Sequence, residues 1–152
     1  MNDPLRQPVL DYLHRHNVLT LATHGPAGLW AAAVFYVNDD FTFYFLSSPD
    51  SRHGQNMAAQ PHVAGTVQAD TGEWAEIKGV QLEGEVTRLE GAARLAAIRR
   101  YGAKFPIVGN LEHAPAAIVA AFNKVAWYRL TPSRLYFVDN SRGFGHRDEI
   151  PL

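Results

Sequence analysis

Residues 43–56 have the sequence FYFLSSPDSRHGQN. Phe41, Phe43 and Phe45 alternate with Thr42 and Tyr44, and this period of two predicts a β-strand. Serine, proline and aspartate then indicate a turn, and a short helix is predicted from position 51 to about position 60, where a proline ends it. The segment therefore places several hydroxyl groups and one guanidinium where a strand ends and a helix begins.

Two interpretations of this junction are open from the sequence alone. Asp50 or Ser51 could simply cap the helix. The same geometry could hold a phosphate, because a helix N-terminus presents unpaired N–H groups, and Arg52 would add a fork of donors beside the serines 47, 48 and 51. Residue spacing does not choose between a cap and an anion site.

Composition excludes several classes of protein. A chain of 152 residues and 16.9 kDa is expected to form a single domain over 1–152. A hydrophobic content of 47% argues against disorder, and a net charge of −1 argues against binding to nucleic acid or to an anionic membrane surface. Because the chain has no cysteine, disulfides and thiolate catalysis are excluded.

The start of the chain, MNDPLRQP, has no apolar core of the kind that a signal peptide needs, and no apolar run approaches the length of a membrane span. The expected location is the cytoplasm. The seven histidines show no metal-ligand spacing, and the nucleophile motif GxSxG is missing. We therefore expect neither a metal site nor a serine nucleophile.

Hydrophobic periodicity and turn residues predict a mainly β (α+β) fold. The first helix is expected to end near Asn17, and the tail from Asn140 to Leu152 is expected to be irregular. Strands are predicted over 18–23, 29–37, 41–45, 63–67, 75–88, 125–130 and 134–138, and further helices over 51–60, 91–103 and 115–123. About six antiparallel strands with inserted helices favour a small β-barrel with peripheral helices.

The strand Leu29-Trp30-Ala31-Ala32-Ala33 has little bulk on either face. Such a strand lets a helix pack closely or leaves room for a flat ligand against the backbone, and both possibilities are open at this point. The segments LWAAAVFY, FYFLSSPDSRH, HVAGTV, IKGVQLEGEVTRLEG, YGAKFP and WYRLTPSRLYFVDNSRGFGHR together resemble the YhbP-type family of bacterial proteins. That family is related to the pyridoxamine 5′-phosphate oxidase-like split β-barrels that bind FMN.

The resemblance covers about Val18 to Arg147. It implies a six-stranded split barrel and a homodimer with FMN in each groove between the subunits. Strand 30–35 would run along the isoalloxazine and ribityl groups, residues 51–53 would grip the phosphate, and tail residues 140–147 would come from the second subunit. The implied cofactor contacts are Trp30, Ala32, Ala33, Val34, Phe35, Leu46, Ser47, Ser51, Arg52, His53, Lys78, Asn140 and Phe144.

Three positions depart from the oxidase pattern. Phe35 and His53 stand where the oxidases carry basic residues, and Val138 stands where they carry a tryptophan beside the flavin. These departures argue against oxidation of vitamin B6. The expected function is an FMN-dependent oxidoreductase for another small molecule, with His146 as the one candidate for a catalytic acid or base.

Two alternatives accompany this expectation. The chain could be a haem- or flavin-binding module that senses or stores its ligand, in which case His24, His62 or His146 would have to serve as the axial ligand of haem. The same groove could also hold the deazaflavin F420 in a reductase.

Overall fold

Alternating apolar residues form seven β-strands in the computed structural model, which describes residues 3–152. All neighbouring strands pair antiparallel, in the order β3-β2-β1-β4-β5-β6-β7, and β3 also pairs with β6. This extra pairing closes β1–β6 into a six-stranded barrel and confirms the predicted fold. The strands are β1 Val18–Gly25, β2 Gly28–Asp39, β3 Thr42–Ser47, β4 His62–Gln68, β5 Lys78–Arg88, β6 Ala126–Asp139 and β7 Arg147–Glu149.

Helices close both ends of the barrel. The helix α1 (Arg6–Arg15) buries Val9, Tyr12 and Leu13, and the Tyr12 hydroxyl donates to the carbonyl of Lys78 at 2.9 Å. The helix α2 (Arg52–Ala59) closes the opposite end and buries Met57. Within residues 3–152, no helix is both long enough and apolar enough to cross a membrane.

The insertion between β5 and β6 forms α3 (Gly91–Lys104), α4 (Pro106–Gly109) and α5 (Ala116–Phe122). Tyr101 of α3 packs edge-on against Trp127, with ring centroids 5.2 Å apart, and belongs to a second apolar cluster outside the barrel with Val37 and Tyr44. The prediction of helices over 91–103 and 115–123 is confirmed, whereas the four-residue helix α4 was missed.

The expectation of two strands around Thr131-Pro132 was wrong. Residues 126–139 form one strand, and the irregularity is a register shift opposite Glu83 and Gly84 of β5. A proline is tolerated there because a bulge does not require its missing N–H group. The tail is also more ordered than expected, since Arg147–Glu149 pairs with β6. At the start of the predicted strand 75–88, positions 74–76 form a 3-10 turn instead.

Gly84 is required by this bulge. A Cβ at that position would collide with the carbonyl oxygen of Thr131 and would lie 2.7 Å from the Cα of Pro132. We expect Gly84→Ala to lower the free energy of unfolding by about 1–3 kcal/mol, the range for forced overpacking. Gly72 has open space around its Cα, so Gly72→Ala is the matched control. Urea denaturation measures both, and equal stability of the two variants would contradict this account of the bulge.

Candidate functional site

The first two thirds of β2 form an uncovered strand on the barrel surface. Residues 28–35 are exposed or half-buried, whereas the next three residues are buried. The partners Leu19 and Leu21 on β1 are fully buried, so Val34 and Ala32 opposite them point toward the interior, and Ala33 and Phe35 point outward. Only the backbone of the two inward residues could therefore meet a ligand on the outer face.

The outer face of β2 has small side chains in the middle and large side chains at both ends. Leu29 (82% exposed) and Phe35 (55% exposed) stand at the two ends, with only methyl groups between them at Ala31 and Ala33. A groove of about 260 Å³ lies beside Phe35 and is also lined by Val18. The ends are six residues apart, or about 20 Å along an extended strand, which is enough for a flat ring system with a chain attached.

The helix α2 begins with the predicted cap. The Oγ of Ser51 accepts a hydrogen bond from the amide of Gly54 at 3.1 Å and donates to the carbonyl of Ser48 at 2.7 Å. The capping interpretation of Ser51 is thus confirmed. Its hydroxyl proton is already used, so Ser51 can contribute to an anion site mainly by holding the helix start in place.

Arg52 links the start of α2 to the open strand. Its guanidinium carbon lies 4.2 Å from the ring centroid of Trp30, and its Nη2 donates to the carbonyl of Ala27 at 3.0 Å. Its other guanidinium nitrogens form no hydrogen bonds with the residues that the structure describes. The side chain is therefore held in position by stacking while several donors stay available to an anion.

His53 is tied to the end of β3. Its Nε2 lies 2.8 Å from the Oγ of the buried residue Ser47 and 3.4 Å from the Oγ of Ser51. Burial lowers the pKa of His53, so the ring is predominantly neutral near neutral pH. A neutral His53 offers a hydrogen bond but no charge, which leaves Arg52 as the cation of this cluster. Leu46, the residue before Ser47, is half-buried against the second apolar cluster.

Lys78 lies at the other end of the barrel, where α1 covers the strands. Its Nζ is 4.0 Å from a carboxylate oxygen of Asp139. Burial alone would raise the pKa of Asp139, but hydrogen bonds from Ser141 and the charges of Lys78 and Arg142 hold it below its ordinary value. Lys78 therefore faces a carboxylate that stays ionised, and a single chain does not bring it to Arg52.

The tail residues form their own small cluster near Lys78. Asn140 donates from its amide group to the carbonyl of Trp74 at 2.9 Å, and its Oδ1 accepts from the amide of Gly145 at 3.1 Å. Phe144 is 82% exposed, and its ring centroid lies 5.4 Å from that of Trp74. His146 pairs with Asp148 at 2.9 Å. This cluster presents two aromatic rings to solvent and remains separate from α2 within one chain.

Lys104 is a neighbour of the open strand that was not predicted from the sequence. Its Nζ lies 4.1 Å from the ring centroid of Tyr36 and donates to the carbonyl of His16, and the adjacent Phe105 stacks on Phe35 with centroids 5.4 Å apart. Both Lys104 and Phe105 belong to the segment YGAKFP, residues 101–106, which contributes to the family resemblance. The spacing of its residues does not reveal that α3 lies against β2.

The histidines do not assemble a metal centre. No cluster of three or more histidine, aspartate or glutamate side chains suited to a metal ion occurs among residues 3–152. His24 and His62 nevertheless line one groove of about 230 Å³ on the outside of β1 and β4, and His62 is 3.0 Å from Glu83.

Comparison with known proteins identifies the class of this barrel. The sequence model of the pyridoxamine 5′-phosphate oxidase family matches residues 5–139. A UPF0306 protein of Photorhabdus laumondii is 36% identical over 138 residues, covering 90% of this chain and 88% of that protein. The UPF0306 protein YhbP of Escherichia coli O157:H7 is 33% identical, with coverages of 90% and 86%. The chain therefore belongs to the pyridoxamine 5′-phosphate oxidase family and, within it, to the UPF0306 group that includes YhbP.

Solved structures of the same fold include haem proteins. The haem storage protein HutZ of Vibrio cholerae superimposes with a TM-score of 0.67 at 19% identity, covering 86% of this chain and 92% of that one. A haem-binding protein of Mycobacterium smegmatis gives a TM-score of 0.76 at 22% identity and covers 99% of this chain, which spans 59% of that protein. At these identities the likeness concerns the fold alone.

The environment of Lys104 makes stability depend on pH. Burial lowers the pKa of its amine from 10.5 to about 8, so in the folded protein the proton leaves at a lower pH than in the unfolded chain. The protonated form is penalised by folding, and the free energy of unfolding should therefore rise between about pH 8 and about pH 10.

We expect Lys104→Met to remove this rise and to stabilise the protein most at the lower pH values. Thermal unfolding from about pH 7.5 to about pH 9.5 measures how the stability of each protein changes with pH. The matched control is Lys124→Met, a change at an exposed lysine. Parallel pH profiles for the wild type and Lys104→Met would show that the amine is not desolvated.

Proposed function

We propose that the protein is a homodimeric FMN-binding flavoprotein that acts as an oxidoreductase on a small molecule. The observation that carries the proposal is the uncovered outer face of β2 between Leu29 and Phe35, at whose Leu29 end Arg52 reaches the carbonyl groups of Ala27 and Leu29. Bound FMN would supply hydride-transfer chemistry, and the residues of this chain would bind and orient it.

The start of α2 fits the phosphate group. Unpaired N–H groups of the first helical turn, the helix dipole and the free donors of Arg52 all favour an anion there. The hydroxyl of Ser47 and the imidazole of His53 add neutral hydrogen-bonding groups to the same cluster. With one cation instead of the two or more of the oxidases, the chain is expected to hold the phosphate less tightly than they do.

The middle of β2 fits the ring and its side chain. Ala33 leaves the backbone of the strand open on its outer face, and Ala32 and Val34 can offer main-chain groups there because their side chains point inward. Trp30 lies on the same side of the strand as Ala32 and Val34, and its ring would hold the guanidinium of Arg52 in place for the phosphate. The groove at Phe35 would then lie next to one end of the ring.

A second subunit would complete this site. The exposed aromatic residues Trp74 and Phe144 and the polar residues Lys78 and Asn140 lie at the opposite end of the same chain. Two-fold pairing of barrels through their open β2 faces would bring these residues of one subunit toward Arg52 of the other. The exposed rings of Trp74 and Phe144 favour such an interface.

The substrate is expected to differ from pyridoxamine phosphate. Phe35 stands where the oxidases carry a basic residue, and its stacking on Phe105 makes that end of the groove apolar. His146 is paired with Asp148 and could exchange a proton with a substrate that the partner subunit presents. The proposal is therefore a reaction on a largely uncharged small molecule.

Haem binding is the second candidate function. One observation favours it: His24 and His62, two of the three possible axial ligands, line a common groove. That groove of about 230 Å³ is narrow for a porphyrin, and the carboxylate of Glu83 already bonds His62. The FMN proposal therefore has the better geometric support.

Sedimentation velocity with absorbance detection tests the proposal directly. After addition of FMN and removal of the excess, we expect the flavin absorbance at about 450 nm to move with a species of twice the monomer mass. Flavin that sediments with a monomer would contradict the shared site. If the protein takes up no flavin but shows an absorption band at about 400 nm after addition of haem, haem binding would replace FMN binding as the proposed function.

The role of Arg52 can be measured by titration with FMN. We expect Arg52→Ala to weaken binding by about 1.5–3 kcal/mol, since it removes charge-assisted hydrogen bonds to the phosphate. Arg52→Lys should give an intermediate loss because it keeps the charge without the planar fork. Arg99→Ala, an equal charge change at an exposed position on α3, is the control. Wild-type affinity in Arg52→Ala would remove the phosphate assignment.

A further inference from the structure

A third groove lies at the α2 end of the barrel, on the side away from Arg52. Its volume is about 470 Å³, and its walls include Gln55 and Ala58 of α2 and Val86 of β5. Arg52 and Asn56 face β1 and β2. At about 100° per residue, the lining positions 54, 57 and 58 are turned by roughly 120–160° from Arg52, and Gln55 stands at the near edge, roughly 60° away. The groove is therefore separated from the proposed flavin site by the helix.

Arg88 is a charged residue in an inward-facing register position. Val80, Leu82 and Val86 of β5 point into the barrel, and the same alternation places Arg88 on the inner face at the barrel mouth. Its register partner on β6 is Tyr128, so both side chains lie on one face of the sheet. The Nε of Arg88 is 3.6 Å from a carboxylate oxygen of Glu90, and both of these side chains are more than half exposed.

Tyr128 has a buried ring, and its hydroxyl belongs to the wall of the groove. Only 4% of the residue is exposed, and its ring stacks on Phe45 with centroids 5.3 Å apart. No hydrogen bond to its hydroxyl is found among residues 3–152, and the oxygen is not one of the fully enclosed atoms, so it reaches the groove that the residue lines. Burial raises the pKa of Tyr128, against the lowering effect of the nearby charge of Arg88, so the phenol remains a neutral donor. A phenol that reaches the groove can donate a hydrogen bond to a ligand there.

We propose that this groove binds a small molecule with one carboxylate and an apolar body. The carboxylate would accept hydrogen bonds from the guanidinium of Arg88 and the hydroxyl of Tyr128, and the apolar body would lie against Met57, Ala58 and Val86. The volume falls within the range of small-molecule sites, and barrel mouths are common locations for them. A single cation next to Glu90 suits a monoanion better than a dianion.

Isothermal titration with benzoate, in the presence and absence of FMN, tests this site. We expect binding in roughly the millimolar range, as for other fragments of this size, with benzyl alcohol weaker by about tenfold because it lacks the charge. Arg88→Gln should weaken benzoate binding by about tenfold or more. Glu90→Gln should strengthen it, since it removes the anion that competes for Arg88.

Two further variants control for structural effects. Tyr128→Phe should weaken benzoate binding while leaving thermal stability unchanged, because the hydroxyl has no partner to lose. Arg99→Gln, with the same change of charge at an exposed site, should bind benzoate as the wild type does. Undetectable binding, or equal binding by the wild type, Arg88→Gln and Tyr128→Phe, would overturn the proposal. Neither result depends on whether the protein binds FMN.

Discussion

The pairing of β3 with β6 is the constraint on which the rest of the structure depends. It joins Phe43 to Leu130 and Ser47 to Ala126, positions more than half the chain apart, and turns an open sheet into a closed barrel. Closure removes the free edge of β3 and creates an interior that α1 and α2 can cap. It also fixes the end of β3 at Ser47, and the short loop that follows leads directly to the candidate anion site at the start of α2.

Closure of the barrel depends on one strand, β6, that has three neighbours. The strand β6 pairs with β5 along most of its length, with β3 in its first part and with β7 in its last part. The bulge opposite Gly84 separates these parts and permits the bend, because an extra residue on one strand increases the local twist. The β7 pairing, in turn, anchors Ile150 in the core and holds the chain after the exposed Phe144.

The helix α2 borders two candidate binding sites as a result. One side turns Arg52 toward the open strand β2, where an anion and a flat ring can lie end to end. The other side borders a groove in which Arg88 and Tyr128 stand opposite each other. Met57 holds the helix between them in the core, so a ligand on either side meets a wall that packing has already fixed. Both sites are therefore largely pre-organised.

Alternation of apolar residues, turn chemistry and helix breakers were sufficient to predict the barrel strands and most of the helices. They were sufficient because those signals are local: Phe43 and Phe45 mark a strand whatever they pair with. The break predicted at Thr131-Pro132 was wrong for the same reason. Proline indicates an interruption locally, but only the facing residue Gly84 makes room for a bulge within a continuous strand. The β7 pairing was missed because three residues carry too short a pattern.

The sequence by itself determined the class of fold, the family and the residues of a cap that could also receive an anion. Tertiary structure alone decided which distant side chains come into contact. The pairs are Trp30 with Arg52, Phe105 with Phe35, and Arg88 with Tyr128. The physical reason is that patterning depends on each residue and its near neighbours, whereas a site depends on the register and closure of distant strands. A shift of one residue in that register would turn the strand residues among them to the other face of the sheet and break these contacts.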